Sequence, residues 1–418
     1  MKTIFASVLL TILIVGLLFA GNYQFVSAQP GGTDFLYRWL PTRLVLLDGY
    51  KNPYSPEAEY QVELMHHGHA HGEDETPGIF AYPYYTMGVF LPFALIGDFL
   101  VARAAWMTLM ELAHLAILFL TFRLINFNPA KFLAFSLIFA SLFWADFSQA
   151  LIDGNPSSLA ALFAVLSLYF ISRDRDVSAG VFLALSTIKP QLVILYLPFV
   201  WMWAFSVRRT KIIYASSAVM IGLLGLSFLF QPSWLFEFYK DLTTYVGVAQ
   251  PSTPYAIMSN WMPAPTARII ALLLSVVSGF ILFRVVKTCY GKDFPALLWG
   301  SSLIFVLMPL TGITSAKSNY VAMLPALVLL VWAFNAKRKI KELWLGLFIL
   351  LWIPLSWVYF AAGRNWVVGG KLIYFVDFYP LPLVLLGLFL SLMPFKNPEI
   401  FSPFVSDQVF FESSSRHD

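Results

Sequence analysis

In this chain of 418 residues, the side chains able to do chemistry stand in short polar islands between long apolar runs. The first island is GGTDFLYRWL, which carries Asp34, Tyr37 and Arg38. A carboxylate partly desolvated by Phe35, Tyr37 and Trp39 is suited to take a proton from a hydroxyl group. Asp34 or its neighbour Thr33 is also suited to cap the helix that follows, so both readings stay open. The second island is DGNPSS, Asp153 to Ser158, where Asn155 supplies an amide and Pro156 suits a helix start. The third is Ile188-Lys189-Pro190, a tight apex between two short apolar segments. An ammonium there either holds a phosphate or snorkels to the headgroups. AGRNWVVGGK, 362–371, sets Arg364 between glycine and asparagine, where a guanidinium grips a phosphate through two hydrogen bonds or anchors the chain at the interface. Lys317, Asn319 and Tyr320 form a further polar group, and Tyr82 stands among the rings and prolines of FAYPYYTMGVFLPF. Such rings stack on sugar faces, and they also form ordinary aromatic belts at membrane boundaries.

HHGHAHGEDE, 66–75, places His66, His67, His69 and His71 beside three carboxylates, a composition that can take a divalent cation. The spacing matches no closed site and Gly68 and Gly72 loosen the segment, so it reads as surface and no metal or cofactor is expected. His114 lies mid-run and reads as a satisfied core histidine. DGYKNPYSP, Asp48 to Pro56, is a turn followed by extended chain, because Gly49, Pro53 and Pro56 break helix. The stretch 231–265, stiffened by Pro232, Pro251, Pro254, Pro263 and Pro265, suits either a lid or a connecting loop.

The elements that must position these residues follow from composition. Apolar residues make up 59% of the chain and charged ones 12%, half the roughly 25% of an ordinary globular protein. Apolar runs of about 20 residues match a hydrocarbon core ~30 Å thick. They do not alternate as barrel strands do, so the fold class is an all-α polytopic membrane protein. The net charge of +4 is too small, and too dispersed between the runs, to imply nucleic acid, and no nucleic-acid partner is expected. The single cysteine, Cys289, cannot form an internal disulfide.

Backbone in the hydrocarbon core must be helical, and Lys/Arg clusters favour the cytoplasmic side. Five internal clusters stand out: Arg123 with Lys131, Arg173 with Arg175, Arg208/Arg209/Lys211, Arg284/Lys287/Lys292, and Lys337/Arg338/Lys339/Lys341. Placing all five inside predicts twelve spans. They run over 4–22, 104–122, 130–149, 156–171, 177–188, 191–206, 211–230, 266–284, 294–311, 319–335, 342–361 and 371–394. The apolar stretch 79–101 holds Pro83 and Pro92, and parity makes it a juxtamembrane or re-entrant helix. Val26 to Ala28 resembles a signal-peptide cleavage site, but the long apolar run before it reads as a retained anchor. The predicted organisation is one integral-membrane domain over 1–396. Its first extracytoplasmic loop, 25–103, carries juxtamembrane helices, a second outer loop covers 231–265, and a polar cytoplasmic tail covers 397–418. On this topology Asp34, Arg38, Arg43, Asp146, Asp153, Asn155, Lys189, Lys317, Asn319, Arg364 and Asn365 share the outer face. Ionisable residues at such depth are costly, which makes them candidates for a site.

The order of these motifs resembles glycosyltransferase family 87 of the GT-C superfamily. That family includes polyprenyl-phosphate-mannose-dependent mannosyltransferases and an arabinofuranosyltransferase of actinobacteria. The resemblance rests on TDFLYRWL, GYKNPYSP, FAYPY followed by LPF, GNPSSLAALF, SAGVFLALSTIKPQLVILYLPFV and TSAKSNYVAMLPALVLL, over about residues 5–335. GVFLALSTIKP and the first-loop aspartate are its strongest elements. One departure is Asn319, where the family often has histidine.

The resemblance implies a GT-C fold and an inverting hexosyl transfer, of mannose by the family's weight, from a polyprenyl-phosphate-linked sugar. The acceptor would be a glycolipid or glycan hydroxyl at the extracytoplasmic face of a bacterial plasma membrane. Asp34 becomes the general base, and Lys189 and then Arg364 the donor-phosphate cations. Tyr37, Arg38, Tyr82, Asn155, Lys317, Asn319 and Tyr320 become substrate-binding residues. A lipid or sugar transporter or flippase also suits many spans, but the internal repeats usual in transporters are not visible. An arabinofuranosyltransferase or a polysaccharide ligase using the same donor class is the remaining alternative.

Overall fold

The computed structural model describes residues 2–29, 31–72, 75–248, 253–313, 315–365, 367–368, 371–372 and 378–392. It is an all-helical bundle, with one small antiparallel ribbon that pairs Val367–Val368 with Lys371–Leu372. The predicted tail 397–418 lies outside the described residues. The helices are α1 (Lys2–Ala28), α2 (Thr33–Leu47), α3 (Pro56–His67), α4 (Met87–Ala94), α5 (Phe99–Leu124), α6 (Lys131–Phe143) and α7 (Ala145–Asp153). They continue as α8 (Ser157–Ser172), α9 (Asp176–Leu185), α10 (Pro190–Val193), α11 (Tyr196–Ser206), α12 (Lys211–Phe230), α13 (Trp234–Val248) and α14 (Pro254–Ser259). The last are α15 (Ala264–Cys289), α16 (Phe294–Leu307), α17 (Leu324–Arg338), α18 (Glu342–Asn365) and α19 (Pro380–Leu392).

Each of the twelve predicted spans overlaps a helix, the last of them, 371–394, over Pro380–Leu392. Six helical stretches among the described residues are long and apolar enough to cross a membrane: Val8–Ala28, Phe99–Leu124, Lys211–Phe230, Ala264–Cys289, Lys317–Arg338 and Glu342–Ala362. A seventh arises if α6 and α7, bent by 48° at Trp144, count as one broken span. The remaining apolar helices are shorter. In α16 every residue from Ala296 to Leu307 is buried, whereas α9 and α19 expose apolar side chains such as Val177 and Val384. Hydropathy alone does not separate burial in protein from burial in lipid. Residues 79–101 do not cross, since α4 has eight residues and reaches only about 12 Å.

α1 continues unbroken through Val26 to Ala28 and docks on α5. Asn22 Nδ2 donates to Thr108 Oγ1 at 3.1 Å and to Glu111 Oε2 at 2.8 Å. α5 is the axis on which the rest is organised. Near its start Arg103 and Trp106 are buried, and at its end Arg123 joins Arg173 and Arg209 around one cavity. The twenty residues between Arg103 and Arg123 place the two ends about 30 Å apart.

Candidate active site

Asp34 lies in the first turn of α2, but it is not the helix cap. The N-cap is Gly32 in the left-handed conformation (φ 77°), with no side-chain capping bond. A Cβ on Gly32 would lie 2.3 Å from Arg103 Nε, so the turn closes only because the residue is glycine. The Asp34 carboxylate is therefore free for other partners. Oδ1 accepts from an Arg38 guanidinium nitrogen at 2.8 Å, one helical turn on. Oδ2 accepts from Asn155 Nδ2 at 2.6 Å.

Asn155 reaches Asp34 because of the residue before it. Gly154 ends α7 with φ 71°, and a Cβ there would stand 2.5 Å from Phe35 Cβ. The turn thus presses directly on the residue next to Asp34. Trp106 Nε1 donates to Gly154 O at 2.8 Å. Arg103 donates to Gln29 O at 3.0 Å and to Ile152 O at 3.4 Å. Two side chains of α5 therefore hold the Asp34 turn and the Asn155 turn in register.

Lys189 completes the network from a third element. Residues before proline avoid helical geometry, and Lys189 breaks out between the short 3₁₀ turn Ser186–Ile188 and α10 with φ −128° and ψ 85°. Its ammonium donates to Asn155 Oδ1 and, at 2.6 Å, to Ser157 Oγ. Lys189 is 1% exposed, against 25% for the Asp34 side chain. It does not snorkel. Because the ammonium claims Oδ1 of Asn155, the amide must turn its NH₂ toward Asp34. Ser157 Oγ also donates to Asn319 Oδ1 at 2.9 Å, and Asn319 Nδ2 donates to Ser315 Oγ at 3.1 Å. Burial pulls the Lys189 ammonium down to about 7, a shift that Asp34 opposes, Arg38 reinforces and Asp153 opposes.

The FAYPYY segment fastens this turn. Tyr85 Oη donates to Thr187 O at 2.9 Å, and Thr86 Oγ1 donates to Ile188 O at 3.2 Å. The Tyr82 ring lies under the Arg38 guanidinium at 4.4 Å. Tyr54, from the NPYSP stretch, donates to Tyr82 O at 2.7 Å and packs with Phe80, Met87 and Trp234. Four islands separated in the sequence therefore meet around Asp34.

Of the sequence-predicted residues, Asp34, Arg38, Tyr82, Asn155, Lys189 and Asn319 come together. Tyr37 is turned toward His66 Nδ1 at 3.0 Å and Thr76 O at 3.1 Å. Tyr320 is buried and donates to Phe378 O, while Lys317 sits 5.0 Å over the Phe360 ring. Arg364 belongs to α18, and its side chain lies outside the described ones. Ser157, Gly154, Arg103, Trp106 and Tyr85 were not singled out. A charged residue inside an otherwise apolar run is the signal that would have found Arg103.

The histidine-rich segment forms a separate group. His71 Nδ1 meets Glu63 Oε1 at 2.5 Å, and Glu63 also accepts from the backbone N–H of His71 and Gly78. Among the described residues, Glu59, Glu63 and His71 bring ligand atoms within 4.8 Å of one another, a grouping able to take a metal. His71 is thus the one histidine of the four that enters it.

No curated protein and no solved structure matches the chain. Residues 80–256, which include Tyr82, Asn155 and Lys189 but not Asp34, match the family model of glycosyltransferase family 87, and by that match the protein is a membrane glycosyltransferase.

Proposed function

We propose that the protein is a GT-C-type inverting enzyme that transfers a hexose, mannose by its family resemblance, from polyprenyl phosphate. The acceptor is a hydroxyl on a glycolipid or glycan at the extracytoplasmic surface of the membrane. The observation that carries this reading is the Asp34–Asn155–Lys189 chain, in which one amide joins a partly exposed carboxylate to a buried ammonium. The acceptor oxygen bonds the anomeric carbon from the face opposite the phosphate and gives its proton to Asp34. The bond from that carbon to the phosphate oxygen breaks, and the electron pair leaves on the phosphate.

A phosphate departs as an anion, so it needs positive potential more than a proton. Lys189 and Arg38 supply that potential from beneath the carboxylate, and Arg364 is the further candidate. Asn319 bonds Ser157 where the family often has histidine. An amide can orient a partner there but cannot carry a proton at neutral pH, which leaves proton acceptance to Asp34. Sidedness is supported by the gathering of Arg123, Arg173 and Arg209 at the far end of α5, since basic clusters favour the cytoplasm.

The test is sugar transfer by wild-type and Asp34→Asn protein in lipid, using a panel of polyprenyl-phosphate sugars and a membrane-lipid extract as acceptor. Asp34→Asn should retain donor binding and lose about 10²- to 10⁴-fold in turnover. Equal turnover by the two proteins would remove Asp34 from the mechanism. The sugar that is transferred identifies the donor.

A further inference from the structure

The end of the bundle opposite Asp34 carries a cavity of about 1130 Å³. It is walled by four connecting segments: the α5–α6 and α8–α9 connections, the α11–α12 turn and the start of α16. Three arginines reach it from three of these segments. Arg209 is already committed, since it bonds Asp176 at 2.5 Å and meets Asp174 at 3.3 Å. Arg123 and Arg173 are exposed, and neither forms an ion pair among the described residues. Asp174 and Asp293 also line the cavity, and Arg209 is shared between Asp174 and Asp176. Three arginines against two aspartates leave the lining with a formal excess of one positive charge.

The apolar wall points to the rest of the ligand. Phe119 lies one helical turn before Arg123 on α5, is 49% exposed, and stacks edge-on against Phe122 with ring centroids 6.1 Å apart. α5 is a membrane-length helix, so the exposed Phe119 leads along it to the Arg123 guanidinium. Beside it Arg173, stacked at 5.4 Å over the Tyr169 ring, has no carboxylate partner among the described residues. A soluble anion would use only the second feature. An amphiphile whose phosphate sits at the helix ends and whose acyl chains descend along Phe119 uses both.

We infer that this cavity binds the headgroup of an anionic phospholipid, held by Arg123 and Arg173. The inference does not depend on the transferase chemistry at Asp34. The test is native mass spectrometry of the full chain released from phosphatidylcholine nanodiscs doped with phosphatidylglycerol, with free inorganic phosphate added in a parallel arm. Wild type should retain phosphatidylglycerol over phosphatidylcholine by roughly tenfold, and inorganic phosphate should not compete. Arg123→Gln and Arg173→Gln, both exposed and expected to fold, should each lose part of that preference and together lose all of it. Lys287→Gln, at the same end but not lining the cavity, should keep it. Equal loss in Lys287→Gln would reduce the effect to diffuse surface charge and overturn the inference. So would displacement by inorganic phosphate, or the absence of any preference in wild type.

Discussion

At the scale of single residues, the site is a problem of burying charge. An ammonium that is 1% exposed is costly unless its N–H groups find acceptors, and Lys189 directs two of its three at Asn155 and Ser157. Its ammonium is lost as pH rises through about 7. If its charge assists the donor phosphate, kcat/KM should fall above that pH. In Lys189→Met the value should be low throughout and that alkaline limb should vanish, which a pH–rate profile on both proteins checks. Stability runs the other way. Between about 7 and the ordinary 10.5 the unfolded chain binds the proton and the folded chain does not, so this group makes folding more favourable as pH rises across that window. Asp34, Lys189 and Asn155 were legible as polar residues at the ends of apolar runs. Their contact was not, since 121 residues separate Asp34 from Asn155.

At the scale of elements, the turns carry the precision. Gly154→Ala forces a Cβ to 2.5 Å from Phe35 Cβ in a left-handed backbone. It should cost about 1–3 kcal/mol and displace Asn155, so a melting curve should drop and turnover should drop further than the stability loss explains. Tyr85→Phe removes a 2.9 Å bond to the Thr187 carbonyl, worth about 1 kcal/mol. It should lower turnover several-fold with donor affinity little changed, as steady-state kinetics would resolve. Pro190 announced the break at Lys189 in the sequence, because proline restricts the residue before it. Nothing local announced that Arg103 and Trp106 would brace two turns drawn from different parts of the chain. Such bracing depends on where α5 passes, not on its own composition.

At the scale of the whole molecule, the two ends of α5 differ in chemistry. Asp34 and its network lie at one, and the arginine-lined cavity lies at the other. If basic clusters set orientation, those ends face opposite sides of the membrane. Cys289 is the chain's only cysteine and is buried, so introduced cysteines can be read against a quiet background. A Glu57→Cys protein should react with an impermeant maleimide from outside intact cells, and Lys131→Cys only after the membrane is opened. Labelling in the reverse pattern would invert the topology.

Helicity and a membrane setting follow from the residues alone, because hydropathy and scarce charge are sums that need no partner. The sequence also marked which polar residues were too costly to be incidental. The folded structure then sorted the apolar runs by helix length, since an apolar residue buried against protein reads the same as one buried in lipid. It alone decided that Asp34 is not a cap, because Gly32 takes that position and leaves the carboxylate to Arg38 and Asn155. Long-range contacts of this kind are fixed by which helices pack together, and no local spacing in the chain encodes them.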